Sequence, residues 1–168
     1  MVKIISIANR KGGVGKTTTA VNIATAMAAI GKRVLILDMD PQGNATTSLG
    51  ITKNKCLFST YDIMINNCKA EDAIVKTDIK KFDILPSAPA LAAAEIELID
   101  VNKREYVLKN ALNALSGKYD YILIDCPPSL NLITINALVS SDSVIVPTVE
   151  RMTLIRTFPS TSSFSILA

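Results

Sequence analysis

Residues 10–18 read Arg-Lys-Gly-Gly-Val-Gly-Lys-Thr-Thr and directly follow the mostly apolar run at residues 2–8. Small residues in such a loop leave room for backbone N–H groups to curl around an anion. Here they are Gly12, Gly13 and Gly15. A helix-like stretch follows immediately, and its positive N-terminal end points at the same anion. This order of strand, glycine-rich loop and helix predicts a phosphate-binding site in an α/β fold.

Two polar side chains within this stretch are suited to a nucleotide. Lys16 is placed to reach the β- and γ-phosphates, and Thr17 to offer its hydroxyl to Mg²⁺. The loop departs from the common Gly-x-x-x-x-Gly-Lys-Ser/Thr pattern at its start, where Arg10 stands in place of the first glycine and Lys11 adds a second cation. That cation needs an anionic partner, which is either its own nucleotide or a nucleotide held by a second subunit.

The composition is typical of a single globular domain and excludes several kinds of catalysis. The 168 residues are 49% apolar and 20% charged with a net charge of +3, which permits anionic ligands without by itself arguing for nucleic acid. The chain has no histidine, so Ser-His-Asp and Cys-His catalysis and most zinc sites are excluded. The scattered cysteines Cys56, Cys68 and Cys126 indicate reduced cytosolic thiols. No window approaches about 18 uncharged apolar residues, so we expect no membrane span.

Apolar runs alternate with helical patterns along the chain. Strands are predicted at residues 3–8, 33–38, 82–86, 121–125 and 143–147. Helices are predicted at residues 17–30, 59–66, 70–74, 91–101, 105–115 and 130–139, and residues 41–55 are predicted to form a loop with one short helix. Near-continuously apolar strands separated by helices predict an α/β fold with a mostly parallel, doubly wound sheet and helices on both faces.

Two of these strands end in carboxylates, at the edge where ligands bind in such sheets. After the second strand, Asp40 lies in a position to reach a γ-phosphate, while Asp38 is closer to the sheet and within reach of a metal. An Asp-Pro turn at Asp40 is the purely structural alternative. The run Tyr-Ile-Leu-Ile-Asp at 121–125 fits a motif in which the carboxylate of Asp125 holds Mg²⁺ directly or through water. The adjoining Cys126 is predicted to be a small buried residue.

Together these motifs resemble the ParA/Soj chromosome and plasmid partition ATPases, which belong to the deviant Walker A group with MinD and the nitrogenase iron protein. The resemblance covers about residues 1–147. It rests on Lys-Gly-Gly-Val-Gly-Lys-Thr-Thr at 11–18, Asp-Met-Asp-Pro-Gln-Gly-Asn-Ala-Thr at 38–46 and Ile-Leu-Ile-Asp-Cys-Pro-Pro-Ser at 122–129. The run at 41–46 favours ParA over MinD. Cys126 has the wrong offset for a cluster ligand of the iron protein. The implied fold is a P-loop NTPase of the SIMIBI type.

The resemblance also implies roles for individual residues in an ATP- and Mg²⁺-dependent dimerisation switch. The nucleotide-binding residues would be Lys11, Gly12, Gly13, Val14, Gly15, Lys16, Thr17 and Thr18. The catalytic residues would be Lys11, which reaches across to the partner's nucleotide, Lys16, and Asp40, which orients or deprotonates the attacking water. The residues near the metal would be Thr17, Asp38 and Asp125.

The partners implied by the resemblance are a second copy of the chain, non-specific DNA bound by the ATP dimer, and a ParB-type centromere-binding protein. The implied location is the cytoplasm, in association with the nucleoid. Two alternatives remain at this point. One is a truncated, non-catalytic remnant of such an ATPase. The other is a P-loop kinase for a small metabolite, although residues 51–118 contain no recognisable acceptor site.

The C-terminal end differs from the family, whose members continue well past the strand at 143–147. We therefore expect a partial ATPase domain at residues 1–147 and an atypical, poorly ordered tail at 148–168, from a frameshift or truncation. The alternative is a genuine short variant whose tail docks on the sheet. Loss of the family's continuation is expected to leave one sheet edge uncovered. The basic residues Lys76, Lys80, Lys81, Lys103 and Arg104 are predicted to be solvated rather than to form a DNA groove.

Overall fold

The computed structural model describes residues 2–52, 56–148 and 152–156. Its strands are β1 (Lys3–Ile7), β2 (Val34–Asp38), β3 (Val75–Lys76), β4 (Phe82–Leu85), β5 (Tyr121–Asp125), β6 (Ser143–Pro147) and β7 (Met152–Arg156). They form one sheet in the order β3-β4-β2-β5-β1-β6-β7. The five central strands are parallel, and the outer strands β3 and β7 are antiparallel to their neighbours. The predicted mostly parallel α/β fold is thus confirmed.

The helices are α1 (Lys16–Ala29), α2 (Asn44–Ser48), α3 (Thr60–Met64), α4 (Ala94–Glu97), α5 (Val107–Leu112) and α6 (Leu132–Ser140). Short 3₁₀ segments precede α4 at Pro89–Ala93 and flank α5 at Arg104–Tyr106 and Asn113–Leu115. The Asn131 side chain caps α6 by accepting a hydrogen bond from the Thr134 N–H.

Alternating strand residues fill two separate cores, one on each face of the sheet. On one face, Val34 and Ile36 of β2 pack with Leu123 of β5 and the buried face of α1. That face of α1 is a row of small residues, Ala20, Ala24 and Ala28, which lets the helix lie close to the strands. On the other face, Leu35 and Leu37 pack against α3, α5 and α6. Burial on both faces explains why these strands are continuously apolar.

Two predicted helices differ from the structure. The residues at 70–74 form turns, which lead into the unpredicted strand β3, so the helix predicted there is wrong. The helix predicted at 91–101 is a 3₁₀ segment followed by the four residues of α4. Both stretches are short and rich in alanine or charged residues, and neither has the repeated apolar spacing that defines a long amphipathic helix.

The segment after β6 contains a strand that the sequence analysis did not predict. β7 pairs antiparallel with β6 from Pro147↔Met152 to Ser143↔Arg156 and covers that edge of the sheet. The prediction of a poorly ordered tail is therefore wrong for Met152–Arg156, where apolar and β-branched residues suit an edge strand. The remainder of the predicted tail, at residues 149–151 and 157–168, lies outside the described residues.

The amino ends of the strands are held together by charged pairs. Arg33, before β2, forms a bidentate contact with Asp120, before β5, at 2.8 Å. The Arg33 guanidinium lowers the pKa of Asp120 to about 2. Tyr119 and Lys76 both donate to the buried carboxylate of Asp83, each at 2.7 Å. These contacts join the four adjacent strands β3, β4, β2 and β5 at the edge opposite the glycine-rich loop.

Several basic residues that are far apart in sequence line one hollow of about 360 Å³ at this same edge: Arg33, Lys76, Lys80, Lys81 and Lys118. Most of them already have an acceptor. Arg33 pairs with Asp120, Lys76 with Asp83 and Lys118 with Glu71. The five residues predicted to be solvated, Lys76, Lys80, Lys81, Lys103 and Arg104, are all exposed.

We expect Leu123→Ala to lower the free energy of unfolding by about 3–5 kcal/mol, because the substitution leaves a cavity in the core beneath α1. Leu123 is fully buried, whereas Leu57 is 85% exposed, so Leu57→Ala provides a matched control with little effect. Urea unfolding followed by circular dichroism would measure both variants. Equal losses in the two would contradict the described core.

Candidate functional site

The glycine-rich loop joins β1 to α1 and depends on two left-handed glycines. Gly13 has a φ of 72° and Gly15 a φ of 83°, a region that side chains strongly disfavour. A Cβ added to Gly12, Gly13 or Gly15 would meet no atom within 4 Å. Gly13 and Gly15 are therefore needed for backbone conformation, and the space in front of the loop is open to a ligand.

The two lysines of the loop lie in different environments. Lys16 is the first residue of α1 and is buried, with its Nζ donating to the Lys11 carbonyl at 3.2 Å. Lys11 is exposed, and its side chain makes no ion pair with the residues that the structure describes. Lys16 is thus held in the loop, while the Lys11 ammonium is available to a partner outside it.

Asn9 fixes the start of the loop, a role that the sequence analysis missed. Its Oδ1 accepts from the Lys11 N–H at 2.9 Å, and its Nδ2 donates to the Pro147 carbonyl at 2.8 Å. The loop backbone is thereby attached to the end of β6. The acceptor lies 138 residues further along the chain, so no local sequence pattern indicates this contact.

Asp125 ends β5 and is 1% exposed, yet neither carboxylate oxygen has a well-formed hydrogen bond with the described residues. Burial raises its pKa to about 7, and the charges of Asp38 and Asp40 act in the same direction. The nearby Thr17 hydroxyl and the Lys16 charge oppose this rise. A buried carboxylate without donors is unfavourable unless a cation or a proton compensates its charge.

Asp38 ends the neighbouring strand β2 and is paired in register with Asp125. Its carboxylate is fully buried but well supplied with donors. Oδ2 accepts from the Thr46 N–H at 2.8 Å and from the Thr46 hydroxyl at 2.7 Å, and Oδ1 accepts from the Asp40 N–H at 3.2 Å. Burial raises the pKa of Asp38, and these hydrogen bonds act against that rise. Thr46 is a second contact that the sequence analysis missed.

Asp40 stands at the turn that leaves β2. Its Oδ1 accepts from the Gln42 N–H at 2.9 Å, and its carbonyl accepts from the Gly43 N–H at 2.8 Å. The predicted Asp-Pro turn is therefore present, and it holds the Asp40 side chain close enough to affect the charge on Asp125. The structural and the functional interpretations of this residue are compatible.

These residues meet at the carboxyl edge of the sheet, with Lys16, Thr17, Asp38, Asp40 and Asp125 close enough to interact electrostatically. Val14 is half-buried, and Thr18 is exposed on the first turn of α1. The described residues contain no group of three or more His, Cys, Asp or Glu side chains suited to a metal ion. A Mg²⁺ ion needs no such group, because it commonly takes one or two protein oxygens and completes its coordination shell with phosphate and water. Thr17 and Asp125 fit that need.

Comparison with known proteins gives a consistent result. A family described as an AAA domain matches residues 2–154. The sporulation initiation inhibitor protein Soj of Bacillus subtilis (strain 168) is 54% identical over 147 residues, which are 88% of this chain and 58% of Soj. The chromosome partitioning protein ParA of Caulobacter vibrioides (strain NA1000 / CB15N) is 48% identical over 148 residues, which are 87% of this chain and 55% of ParA. The chain thus spans a little over half of these relatives.

Among solved structures, the cobyrinic acid a,c-diamide synthase from Mycobacterium smegmatis with bound ATP analog and magnesium superimposes with a TM-score of 0.85. It is 42% identical, and the match covers 88% of this chain and 60% of the synthase. In the described part of the chain, no helix is long and apolar enough to cross a membrane.

We expect Asp125→Asn to remove a pH dependence from the stability of the metal-free protein. The folded chain keeps the Asp125 proton up to a pKa of about 7, whereas the unfolded chain loses it near 3.8. Protonated Asp125 therefore contributes its full stability below about pH 4. Between about pH 4 and pH 7 the free energy of unfolding falls by on the order of 1 kcal/mol for each pH unit. Urea unfolding across this range without Mg²⁺ would measure the slope.

The control for this experiment is Asp100→Asn, which changes an exposed carboxylate and should keep the slope of the unsubstituted protein. If Asp125→Asn also kept that slope, Asp125 would not be the titrating group.

Proposed function

Since this chain belongs to the ParA/Soj-type family of AAA-domain proteins, we propose that it binds and hydrolyses ATP as a dimerisation switch for chromosome or plasmid partitioning. The observation that carries the proposal is Asp125, a buried carboxylate that makes no well-formed hydrogen bond with the described residues and lies beside an open glycine-rich loop. The relative named as a chromosome partitioning protein supports the cellular role. The ATP analog and magnesium of the Mycobacterium smegmatis synthase support the choice of ligands.

In this proposal the loop binds the phosphates of Mg-ATP. The backbone N–H groups of residues 13–18 and the Lys16 ammonium contact phosphate oxygens, assisted by the N-terminal end of α1. The Thr17 hydroxyl and the Asp125 carboxylate hold Mg²⁺, directly or through water. When bound, Mg²⁺ neutralises charge that develops on the phosphate oxygens. Binding of the cation also compensates the otherwise unpaired charge of Asp125.

Asp40 is the proposed group for the attacking water. One of its oxygens is already held by the Gln42 N–H, which orients the carboxylate. The other oxygen would accept a hydrogen bond from the water and direct it to the γ-phosphate. Catalysis of phosphoryl transfer depends mainly on such positioning and on charge stabilisation, so the rigid turn at Asp40 is the feature that the reaction requires.

Lys11 is proposed to act in a second subunit. Its ammonium is exposed and makes no ion pair among the described residues, whereas the Lys16 ammonium is held within its own loop by the Lys11 carbonyl. Two chains that close face to face over two ATP molecules would bring each Lys11 to the nucleotide of its partner. This arrangement ties hydrolysis to dimerisation, since a cation supplied in trans stabilises the transferring phosphate.

The output of the switch would be a shift between monomers and ATP-bound dimers. The proposed partners of the dimer are non-specific DNA and a ParB-type centromere-binding protein, which would place the protein in the cytoplasm on the nucleoid.

The decisive experiment is ATP turnover with and without double-stranded DNA and a ParB-type protein. Turnover stimulated by DNA and the partner supports the proposal. A folded protein that binds ATP without turnover indicates a non-catalytic member, and turnover that requires a small-molecule acceptor indicates a kinase.

We expect Lys16→Ala to abolish ATP binding, because it removes charge-assisted hydrogen bonds worth about 1.5–3 kcal/mol each. Titration with a fluorescent ATP analogue would measure the effect. Lys109→Ala changes an exposed lysine on α5 and should bind like the unsubstituted chain. Unchanged affinity in Lys16→Ala would contradict the phosphate role of the loop, provided that thermal melting shows both variants to be folded.

We expect Lys11→Ala to keep ATP binding and to lose ATP-dependent dimerisation, because the exposed ammonium serves the partner's nucleotide rather than its own. Analytical ultracentrifugation with Mg²⁺ and a non-hydrolysable ATP analogue would report the dimer, and the fluorescent analogue would report binding. Arg10→Ala is the matched control, since it removes the neighbouring exposed cation. Normal dimerisation of Lys11→Ala would rule out the role in trans.

A further inference from the structure

Two carboxylates lie side by side at the carboxyl edge of the sheet, but they differ in their hydrogen bonds. Asp38 and Asp125 are paired in register on neighbouring strands, and both are almost fully buried. Asp125 makes no well-formed hydrogen bond with the described residues, although the Thr17 hydroxyl lies nearby. Asp38 has three donors, two from Thr46 and one from the Asp40 backbone. A metal ion would therefore find an available carboxylate at Asp125 and an engaged one at Asp38.

The donors of Asp38 belong to a larger set of buried contacts that joins separate segments. The Thr46 hydroxyl donates to Asp38 and itself accepts from the Ser87 N–H at 3.0 Å, just beyond β4. The Thr60 hydroxyl, at the start of α3, donates to the Asp38 carbonyl at 3.0 Å. Asp38, Thr46 and Ser87 are each no more than 1% exposed. Asp38 is thus held by Thr46, by Thr60 and by the backbone of Asp40.

This set of contacts ends at the residue proposed to act on water. The Asp38 Oδ1 accepts from the Asp40 N–H, and Asp40 begins the tight turn that leads to α2. Thr46 lies within α2, so the Asp38–Thr46 pair closes the segment from residue 38 to residue 46 on itself. The position of Asp40 relative to the phosphate loop therefore depends on this pair.

We propose that Asp38 and Thr46 are positioning residues that hold Asp40 in place for hydrolysis, and that Asp38 is not a metal ligand. This inference rests on the proposed ATPase function and replaces the metal role that the sequence suggested for Asp38. Asp125 and Thr17 then remain as the protein groups for Mg²⁺. The pair acts on the reaction only through Asp40.

The test compares three variants of the full chain. Thr46→Val removes the hydroxyl at nearly constant volume, and Thr46→Ser restores a hydroxyl as the conservative rescue. Asp38→Asn keeps the shape but leaves only one acceptor oxygen, which can serve Thr46 or Asp40 but not both. Three properties are measured: amide hydrogen exchange, binding of a fluorescent ATP analogue as a function of Mg²⁺ concentration, and the kcat and KM for ATP.

Positioning predicts faster exchange of the Asp40 amide in Thr46→Val and Asp38→Asn, and near-normal exchange in Thr46→Ser. It predicts that kcat falls by about tenfold to a hundredfold in the first two variants while KM changes little, since a small misplacement acts on the reaction step. The Mg²⁺ concentration needed for half-maximal nucleotide binding should stay unchanged in all three variants.

Several results would overturn this inference. A large increase in the Mg²⁺ requirement of Asp38→Asn would make Asp38 a metal ligand. Unchanged Asp40 exchange or unchanged kcat in Thr46→Val, or failure of Thr46→Ser to restore them, would refute the positioning role. The proposed function fails separately, if the unsubstituted chain binds no nucleotide or does not hydrolyse it. In that case the Asp40 amide exchange still decides whether Asp38 and Thr46 hold that residue.

Discussion

The parallel register of β1, β5 and β2 places Ile7, Asp125 and Asp38 side by side at one edge of the sheet. Because β5 lies between the other two strands, the loop leaving β1 and the turn leaving β2 flank the same carboxylate. A shift of one residue in this register would turn Asp125 to the opposite face of the sheet. The site therefore depends on the pairing of three apolar strands before it depends on any polar contact.

The polar groups at this edge differ in how completely the fold satisfies them. Asp38 is surrounded by donors, Lys16 is held by the Lys11 carbonyl, and Asp40 is held by its own turn. Of these groups, only Asp125 makes no well-formed hydrogen bond with the described residues. Proteins commonly accept such a local loss of stability where a ligand binds. This difference in hydrogen bonding thus distinguishes Asp125 from the neighbouring groups that the fold already holds.

The parts of the structure that could be predicted from sequence are those with local or periodic signals. The loop at 10–18 has its glycines, lysines and threonines next to one another in the sequence. The strands β2 and β5 are apolar up to their final Asp because both of their faces are buried. The contacts of Asn9 and Thr46 could not be predicted, since their partners are brought near by the sheet rather than by sequence spacing. β7 was missed because its five residues include the polar Thr153 and Arg156, so its pattern is weaker than the apolar runs of β2 and β5.

The amino and carboxyl ends of the strands contain different kinds of contacts. The bidentate pair of Arg33 with Asp120 and the contact of Tyr119 with Asp83 lie at the amino ends of the strands, away from the phosphate loop. Substitutions at that end change contacts between the strands without touching Lys16, Asp40 or Asp125. Resistance to unfolding and chemistry therefore depend on different residues of this chain, so a substitution can change the first and leave the second as it was.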